Sequence, residues 1–322
     1  MQVVRIHQTG GPEVMRLEEA PTPEPGPGQV RVRLAAAGVN FIDIYHRSGQ
    51  YNIKLPFDLG REGAGTVEAV GPNVGDAKVG DRLAWAGTGG SYATHVLAPA
   101  ADTVPVPNSV SFEQAAAAML QGMTAHYLTH STYPLKRGDS CLIHAAAGGV
   151  GQLLCQMARM LGASPIIGTT STEEKAQLAR AAGADEVILY TQQDFAAEAK
   201  RLTDGKGVHV VYDSVGKDTF DKSLQSLRPR GYLVLFGGSS GPVPPFDPIV
   251  LMNGSHFLTR PTLAHYTATR DDLLGRAREL FDWIGSGKLK LRIEKSYPLN
   301  QAAAAHKDLA SRQTAGKLLL TV

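Results

Sequence analysis

The sequence predicts an α/β protein built around a doubly wound parallel sheet, and three observations support this class. A glycine-rich turn, Ala147-Gly-Gly-Val-Gly151, lies between a short apolar run and an amphipathic segment. From about residue 124 onward, strand-like and helix-like segments alternate, as in parallel sheets with right-handed helical crossovers. Residues 1 to about 120 instead contain many short β-forming runs between turn signals, so we expect a second, β-rich domain.

The β-rich domain is predicted to open the chain. Strands are expected at residues 3–6, 29–34, 65–70, 79–83 and 92–97. Residues 21–28 contain four prolines and therefore form a stiff connector, not a helix or a central strand. A helix is expected from Ser111, the N-cap, with Gln114 completing a capping box.

The second part of the chain is predicted to fold as the parallel sheet. Strands are expected at residues 140–145, 165–169, 186–189, 208–213, 231–236 and 255–259. Helices are expected between them at residues 150–161, 173–182, 194–203 and 217–227. Two more helices, 271–284 and 302–310, and a strand, 317–322, are expected to return to the first domain. The predicted domains are therefore 1–123 with 266–322, and 124–265.

The glycine turn is the strongest chemical signal in the chain. A strand followed by a tight glycine turn and a helix brings backbone N–H groups and a helix N-terminus close to a pyrophosphate. The spacing of Gly148, Gly149 and Gly151 is a variant of the usual G-x-G-x-x-G pattern. The alternative is a turn that only packs the helix against the sheet. We favour a Rossmann-type dinucleotide-binding domain.

The end of the next strand indicates which dinucleotide is bound. NAD-binding sheets carry an acidic residue there, about 20 residues after the glycine turn, for the ribose hydroxyls. Here the strand runs into Ser171, Thr172 and Lys175, whose hydroxyls and cation suit a 2′-phosphate. The alternative is that Thr172 caps a helix and Lys175 is a solvated charge, with Glu173 and Glu174 close enough to repel a phosphate. The prediction is NADPH.

Several motifs in order give the chain a family resemblance. It resembles the zinc-free quinone oxidoreductase (zeta-crystallin-like) branch of the medium-chain dehydrogenase/reductases, nearly from end to end. The motifs are Gly10-Gly-Pro-Glu-Val14, Gly38-Val-Asn-Phe-Ile-Asp43, Arg61-Glu-Gly-Ala-Gly65, Gly80-Asp-Arg82, residues 145–151, Tyr212-Asp-Ser-Val-Gly216 and Phe236-Gly-Gly-Ser-Ser240. The resemblance implies a GroES-like catalytic domain, a Rossmann domain, NADPH and a homodimer.

The resemblance also implies a set of cofactor-binding residues. Those at the nicotinamide and substrate end are Asn40, Phe41, Ile42, Asp43 and Tyr45, with Tyr127 as a further contact. Those at the pyrophosphate are Ala147, Gly148, Gly149 and Val150. Those around the adenosine phosphate are Ser171, Thr172, Lys175, Tyr190 and, from the C-terminal segment, Arg312. Those in the later loops are Val215, Ser239, Ser240, Leu263 and His265.

Asn40, Tyr45 and Tyr51 are the candidate catalytic residues, because an amide and two phenols can donate hydrogen bonds to a substrate carbonyl. The structural alternatives are that Tyr45 lies in the core and Tyr51 anchors a loop. We expect no metal. Zinc-dependent relatives place a Cys near Asn40 and a His at Arg61, and neither cysteine of this chain lies in the first domain.

The composition limits the classes of partner. The formal net charge is +2, and no basic run is longer than two residues, so the charge does not favour nucleic acid as a ligand. No segment has the length of a transmembrane helix, and no signal peptide is evident. Cys141 and Cys155 both have the surroundings of small core residues. We expect a cytoplasmic protein.

The predicted function is zinc-independent hydride transfer from NADPH to a quinone. An alternative within the same class is an NADPH-dependent reductase of α,β-unsaturated ketones or aldehydes, since both acceptors are flat conjugated carbonyls. An alternative from another class is an RNA-binding or structural crystallin-type protein that retains NADPH. The apolar strand at 255–259 would leave a sheet edge open, so we expect a homodimer in which two such strands pair.

Overall fold

The computed structural model describes residues 1–322, which divide into two compact units. The first contains Met1–Met123 and Tyr266–Val322 and is called the β-rich unit below. The second contains Thr124–His265 and is called the α/β unit. None of the helices combines the length and the apolar character that crossing a membrane requires.

Sixteen strands and nine α-helices make up the chain. The strands are β1 Gln2–Ile6, β2 Arg16–Glu19, β3 Gln29–Val39, β4 Phe57–Asp58, β5 Glu62–Val70, β6 Arg82–Ala86, β7 His95–Pro99, β8 Val104–Pro105, β9 Cys141–Ile143, β10 Ile166–Thr170, β11 Glu186–Leu189, β12 Val208–Asp213, β13 Leu227–Leu235, β14 Phe257–Thr259, β15 Ile293–Pro298 and β16 Lys317–Thr321. The helices are α1 Phe41–Ser48, α2 Phe112–Tyr127, α3 Gly149–Met160, α4 Glu173–Ala181, α5 Phe195–Arg201, α6 Phe220–Gln225, α7 Leu263–Tyr266, α8 Arg270–Gly285 and α9 Ala302–Ala310.

The β-rich unit contains two sheets. Three strands pair antiparallel in the order β2-β1-β4. The larger sheet has the order β15-β16-β3-β5-β6-β8, with β7 pairing along β3. Its core is formed by aliphatic side chains of β3 and β5 around the fully buried rings of Trp85 and Tyr92. The last strand, β16, pairs with β3, so the C-terminal segment lies beside the first domain's longest strand.

The α/β unit contains one six-stranded sheet in which all paired strands are parallel. The order is β11-β10-β9-β12-β13-β14. Counted along the chain this order is 3-2-1-4-5-6, which is the order of dinucleotide-binding sheets. Helices α3 to α6 pack on these strands. The predicted doubly wound parallel sheet is therefore confirmed.

Local physical chemistry explains where the elements differ from the prediction. The predicted strand 140–145 ends at Ile143, and two residues later Ala145 takes a left-handed φ of 51°. The strand predicted at 79–83 begins at Arg82, because Gly80 turns with a φ of 93°. Helices α1 and α7 and strands β2, β4, β8 and β15 have no counterpart in the prediction. The capping box is confirmed: Ser111 N–H donates to Gln114 Oε1 over 2.9 Å, and Gln114 N–H donates to Ser111 Oγ over 3.1 Å.

Candidate active site

The glycine turn of the α/β unit leaves the N-terminus of α3 open. Gly148 is the N-cap of this twelve-residue helix and offers no capping side chain. A Cβ atom at Gly151 would lie 2.3 Å from the carbonyl oxygen of Ala145, so only glycine lets the helix approach the turn this closely. The Gln152 side chain donates to Ala147 O over 2.7 Å and fixes the turn. The first N–H groups of α3 are thus available to an anion such as a pyrophosphate.

Hydroxyl groups surround the end of β10. The strand ends at Thr170 and is followed by Ser171 and Thr172, with no carboxylate. Thr172 is the N-cap of α4, and its Oγ1 accepts a hydrogen bond from Lys175 N–H over 3.3 Å. Capping and phosphate binding are compatible there, because the hydroxyl proton of Thr172 is not used in the cap.

The acidic residue next to Thr172 is engaged elsewhere. Glu173 forms an ion pair with Arg180 on the same helix, at 2.6 Å. Tyr190 follows β11 and is half exposed, and its backbone N–H donates to Thr170 O over 3.1 Å. The structure therefore brings Tyr190 beside the end of β10, where Ser171 and Thr172 lie. This arrangement suits a phosphate better than a ribose diol.

Asp213, at the end of β12, holds the loop that carries Val215. Its Oδ1 accepts hydrogen bonds from Val215 N–H at 2.8 Å and Gly216 N–H at 3.0 Å. The Ser240 hydroxyl donates to Val215 O over 2.8 Å and accepts from Asp218 N–H over 3.0 Å. Ser239 is tied to the same loop through its backbone. Two of the predicted cofactor loops are therefore joined to each other.

His144 was not predicted, and it connects three strand ends. Its Nδ1 lies 2.9 Å from Thr169 Oγ1 and its Nε2 lies 2.9 Å from Ser223 Oγ. Since the Ser223 hydroxyl donates to Asp213, it accepts from His144, which assigns the Nε2–H tautomer. Burial lowers the pKa of His144, and the Asp213 charge opposes this shift. A neutral histidine thus links β10, the glycine turn and the Asp213 loop.

Asn40 lies between β3 and α1 in the β-rich unit, and its side chain is fully engaged. Its Oδ1 accepts from Lys317 Nζ over 2.7 Å, and its Nδ2 donates to Glu62 Oε2 over 2.8 Å. The second amide hydrogen is directed at Gly38 O, 3.3 Å from Nδ2. Both amide hydrogens are thus donated within the protein. An acceptor would have to displace one of them.

Glu62 and Lys317 form a buried ion pair beneath Asn40. Lys317 Nζ lies 2.5 Å from Glu62 Oε2, and neither side chain is more than 2% exposed. Glu62 Oε1 accepts from Leu120 N–H within α2 over 2.5 Å. Gly38 is required here, because a Cβ atom would lie 1.9 Å from Glu62 Oε2. The charges of both residues are matched inside the protein, as buried charges must be.

Asp43 is directed inward from α1. Its Oδ2 accepts from Asn40 N–H over 2.9 Å and from the Tyr92 hydroxyl over 3.0 Å. Burial raises the pKa of Asp43 to about 7, and these two hydrogen bonds oppose the shift. Its side chain has no exposed surface. The contact with a cofactor predicted for Asp43 could therefore be made only through its backbone.

The hydrogen bonds continue from Tyr92 to Arg47. Tyr92 Oη lies 3.1 Å from His306 Nε2, and Arg47 Nη1 lies 3.3 Å from His306 Nδ1. Burial, with the Arg47 charge, lowers the pKa of His306 to about 3, so this ring is neutral. Arg47 Nε also donates to Gly10 O over 3.3 Å. Helix α1 is thus fixed from its first turn to its last.

Three aromatic residues form the outer side of this region. The rings of Tyr45 and Tyr51 lie 5.3 Å apart between centroids, and those of Phe41 and Tyr45 lie 6.2 Å apart. Tyr51 is 38% exposed and Tyr45 is partly buried. The structure therefore brings the predicted residues Phe41, Tyr45 and Tyr51 together. Ile42, on the first turn of α1, is also partly exposed.

The remaining predicted residues lie at ends of elements. Tyr127 is buried and is the last residue of α2. The helix continues as a π-helical turn over Leu128–Thr132. Leu263 and His265 lie in the short helix α7. Arg312 follows α9 with a left-handed φ of 58° and is exposed. Their predicted contacts with a cofactor stay predictions.

No group of three or more His, Cys, Asp or Glu side chains has the geometry of a metal site. The rings of His126 and His130 stack 4.3 Å apart between centroids. Cys141 and Cys155 are buried and not bonded to each other. Metal independence stays a prediction that elemental analysis has to test.

Comparison with known proteins gives two family matches. Residues 26–108 match the alcohol dehydrogenase GroES-like domain. Residues 149–277 match the family described as zinc-binding dehydrogenase. Together they cover most of both units.

Individual relatives match over nearly the whole chain. A quinone oxidoreductase of Pseudomonas aeruginosa is 50% identical over 315 residues, which are 97% of this chain and 96% of the relative. A 2-haloacrylate reductase of Burkholderia sp is 45% identical, over 98% of this chain and 97% of the relative. The crystal structure of Escherichia coli quinone oxidoreductase complexed with NADPH covers all of both chains, with 44% identity and a TM-score of 0.98.

Proposed function

Because this chain belongs to the quinone oxidoreductase branch of the medium-chain dehydrogenase/reductase family, we propose that it transfers hydride from NADPH to a quinone. One observation carries the cofactor part of the proposal. The six-stranded sheet has the strand order 3-2-1-4-5-6 of dinucleotide-binding domains. The uncapped N-terminus of α3 follows its first strand, and the end of its second strand, β10, is lined by hydroxyl groups. The similarity to quinone oxidoreductases along the full chain supports the choice of acceptor.

NADPH fits the residues that the α/β unit offers. The N–H groups of Gly149 and Val150, in the first turn of α3, would bind the pyrophosphate. Ser171, Thr172 and Lys175 would bind the 2′-phosphate, which no carboxylate at the end of β10 opposes. When bound, NADPH supplies the hydride. The Asp213 loop, held from His144 through Ser223, would keep the backbone beside the cofactor in place.

In the β-rich unit we assign the acceptor to the two phenols. Tyr45 and Tyr51 lie side by side and partly exposed, so their hydroxyl groups can donate to the carbonyl oxygen of a planar acceptor. Asn40 takes a positioning role, because both of its amide hydrogens are used within the protein. Its contacts with Glu62 and Lys317 hold the start of α1, on which Tyr45 is carried. Orientation of this kind lowers the barrier without further chemistry from the protein.

A second candidate keeps the cofactor and changes the acceptor to a conjugated enone or enoate. It is supported by the Burkholderia relative, which is named as a reductase of 2-haloacrylate. The same two phenols would serve either acceptor. An RNA-binding or crystallin-type role has less support, because the formal net charge is only +2.

We also propose a homodimer joined through β14. This strand forms one edge of the six-stranded sheet, and Phe257 on it is 49% exposed. Ile249 and Met252, which precede it, are 61% and 72% exposed, so the edge is bordered by apolar side chains. A second copy pairing antiparallel would satisfy the strand and cover these residues. The two unbonded cysteines agree with a reducing compartment, and we propose the cytoplasm.

The acceptor part of the proposal is tested by NADPH oxidation with a benzoquinone, a naphthoquinone and a conjugated enone in parallel. Reduction of the quinones supports the proposal. Reduction of the enone alone would replace it with the second candidate. Binding of NADPH without turnover of any acceptor, together with a gel shift of RNA, would favour the binding-protein alternative. Light scattering at micromolar concentration tests the dimer, and a monomer would contradict it.

A further inference from the structure

Arg61 is a half-buried cation without a partner. Its guanidinium group donates no hydrogen bond and forms no ion pair, and its Nε atom is buried. Burial lowers the pKa of Arg61 and the charge of Asp43 raises it, so the group remains a cation. Burying the Nε–H group without an acceptor is costly, and the rest of the guanidinium group is not held by any protein acceptor. The guanidinium group of Arg61 is therefore available to an anionic ligand.

The fold fixes where this guanidinium starts. Gly60, the preceding residue, has a φ of 93°, and a Cβ atom there would lie 2.4 Å from the Tyr92 ring. The Arg61 carbonyl accepts from Gly87 N–H over 2.7 Å, and Glu62 follows in β5. The residues on both sides of Arg61, Gly60 and Glu62, are thus buried and fixed in place. The position of the Arg61 side chain is therefore set by its fixed backbone, since the guanidinium group has no hydrogen bond within the protein.

Two more buried polar atoms without partners belong to residues that interact with Arg61. Asp43 Oδ1 and His46 Nδ1, one turn apart on α1, have no hydrogen-bond partner. Burial lowers the pKa of His46, and the charge of Arg61 lowers it further. The ring of Tyr51 lies 6.0 Å from that of His46, edge to face. Since the charges of these residues influence one another, Arg61 lies near both His46 and Asp43, and His46 lies next to a phenol that we assign to the acceptor.

We propose that Arg61, beside His46, forms an anion site that binds a carboxylate carried by the acceptor. The inference rests on the proposed function and adds a substrate class to it. A guanidinium donates two parallel hydrogen bonds to a carboxylate, whereas the carbonyl of an uncharged quinone would satisfy fewer of its donors. The enzyme would then prefer acidic acceptors over neutral ones of the same shape.

Binding is tested first with ligands that cannot be reduced. Calorimetric titration of the full chain with benzoate, and with benzamide as the neutral isostere, measures the anion site without any turnover. Arg61→Gln should weaken benzoate binding by about tenfold or more, and Arg61→Lys by less, because one charge-assisted hydrogen bond is worth that much. Arg16→Gln removes an exposed cation from β2 and should leave benzoate binding unchanged. The parent protein should bind benzamide more weakly than benzoate, and this difference should disappear in Arg61→Gln.

Turnover gives the second readout. The ratio of the KM for a sulfonated naphthoquinone to the KM for the same naphthoquinone without the sulfonate should rise about tenfold in Arg61→Gln. Equal benzoate affinity in the parent and in Arg61→Gln would overturn the inference, and so would an unchanged KM ratio. A parent protein that binds benzoate through Arg61 but reduces no quinone would refute the proposed function and leave the anion site standing.

Discussion

The ammonium group of Lys317 and the side-chain oxygen of Asn40 lie 2.7 Å apart, although 277 residues separate them in the sequence. Lys317 is the first residue of β16, and Asn40 directly follows β3, with which β16 pairs. Glu62, at the start of β5, completes the cluster. The C-terminal strand therefore holds the start of α1 through charge as well as through the sheet.

Lys317→Met should lower the free energy of unfolding by about 3–5 kcal/mol, because Glu62 would be left as an unpaired buried charge. The double variant Lys317→Met with Glu62→Gln should recover part of this loss. Urea unfolding of the single and double variants, followed by circular dichroism, measures both effects. If the single variant is as stable as the parent, the ion pair has no structural role.

The stability should respond to pH through Asp43 in an unusual direction. Burial raises its pKa to about 7, whereas an unfolded chain releases this proton near pH 4. The contribution of Asp43 to the free energy of unfolding is therefore complete below about pH 4. It is lost as the pH rises to 7, by at most about 1.4 kcal/mol per pH unit. His306 acts in the opposite sense: its pKa of about 3 lowers stability as the pH falls below about 6.5.

Replacing Asp43 separates the two effects. Between about pH 4.5 and pH 6.5 they oppose each other in the parent protein, whose stability should change little through these groups. Asp43→Asn keeps only the His306 contribution, so the stability of the variant should rise with pH over the same interval. Urea unfolding at three pH values measures the two slopes. Parallel curves for parent and variant would show that Asp43 is ionised in the folded protein throughout.

The sequence predicts the α/β unit well and the buried clusters of the β-rich unit poorly. The apolar runs predict where β10, β11 and β12 begin and end, and the alanine-rich pattern predicts the bounds of α9. Strand β3 continues through residues 35–39, which are mostly alanine and glycine, because β5 and β16 pair with it there. No local pattern signals such pairing.

The same limit explains what was missed in the candidate site. Lys317, Glu62 and His306 are single polar residues in ordinary surroundings, and only the tertiary fold brings them to Asn40 and Tyr92. Helix α1 had a local signal, since Asn40 and Asp43 have the spacing of a capping box. His144 also had one, because a histidine directly before the glycine turn is out of place in an apolar strand.

Lys175→Ala should weaken NADPH binding by roughly 1–3 kcal/mol and NADH binding much less, because one charge-assisted hydrogen bond to the 2′-phosphate would be lost. Fluorescence titration with both cofactors measures the difference. Lys206→Ala, which removes an exposed cation from another loop of the α/β unit, is the matched control. If the affinities for NADPH and NADH fall equally, Lys175 does not contact the 2′-phosphate.

Gly151→Ala should destabilise the protein and abolish NADPH binding, since its Cβ would lie 2.3 Å from Ala145 O. Gly275→Ala is the control, because Gly275 lies in α8 with no atom within 4 Å of a new Cβ. That variant should gain about 0.5–1 kcal/mol from helix propensity alone. Thermal unfolding and NADPH titration are measured on both. A Gly151→Ala protein that binds NADPH like the parent would contradict the tight turn.

The most direct test of the central claim is an anaerobic single turnover of the NADPH-loaded protein mixed with benzoquinone. NADPH oxidation and hydroquinone formation are followed together, with ordinary NADPH and with NADPH deuterated at the position that donates hydride. The account predicts equal amounts of the two products and a slower reaction with the deuterated cofactor. Persistence of bound NADPH in the presence of excess benzoquinone would contradict it.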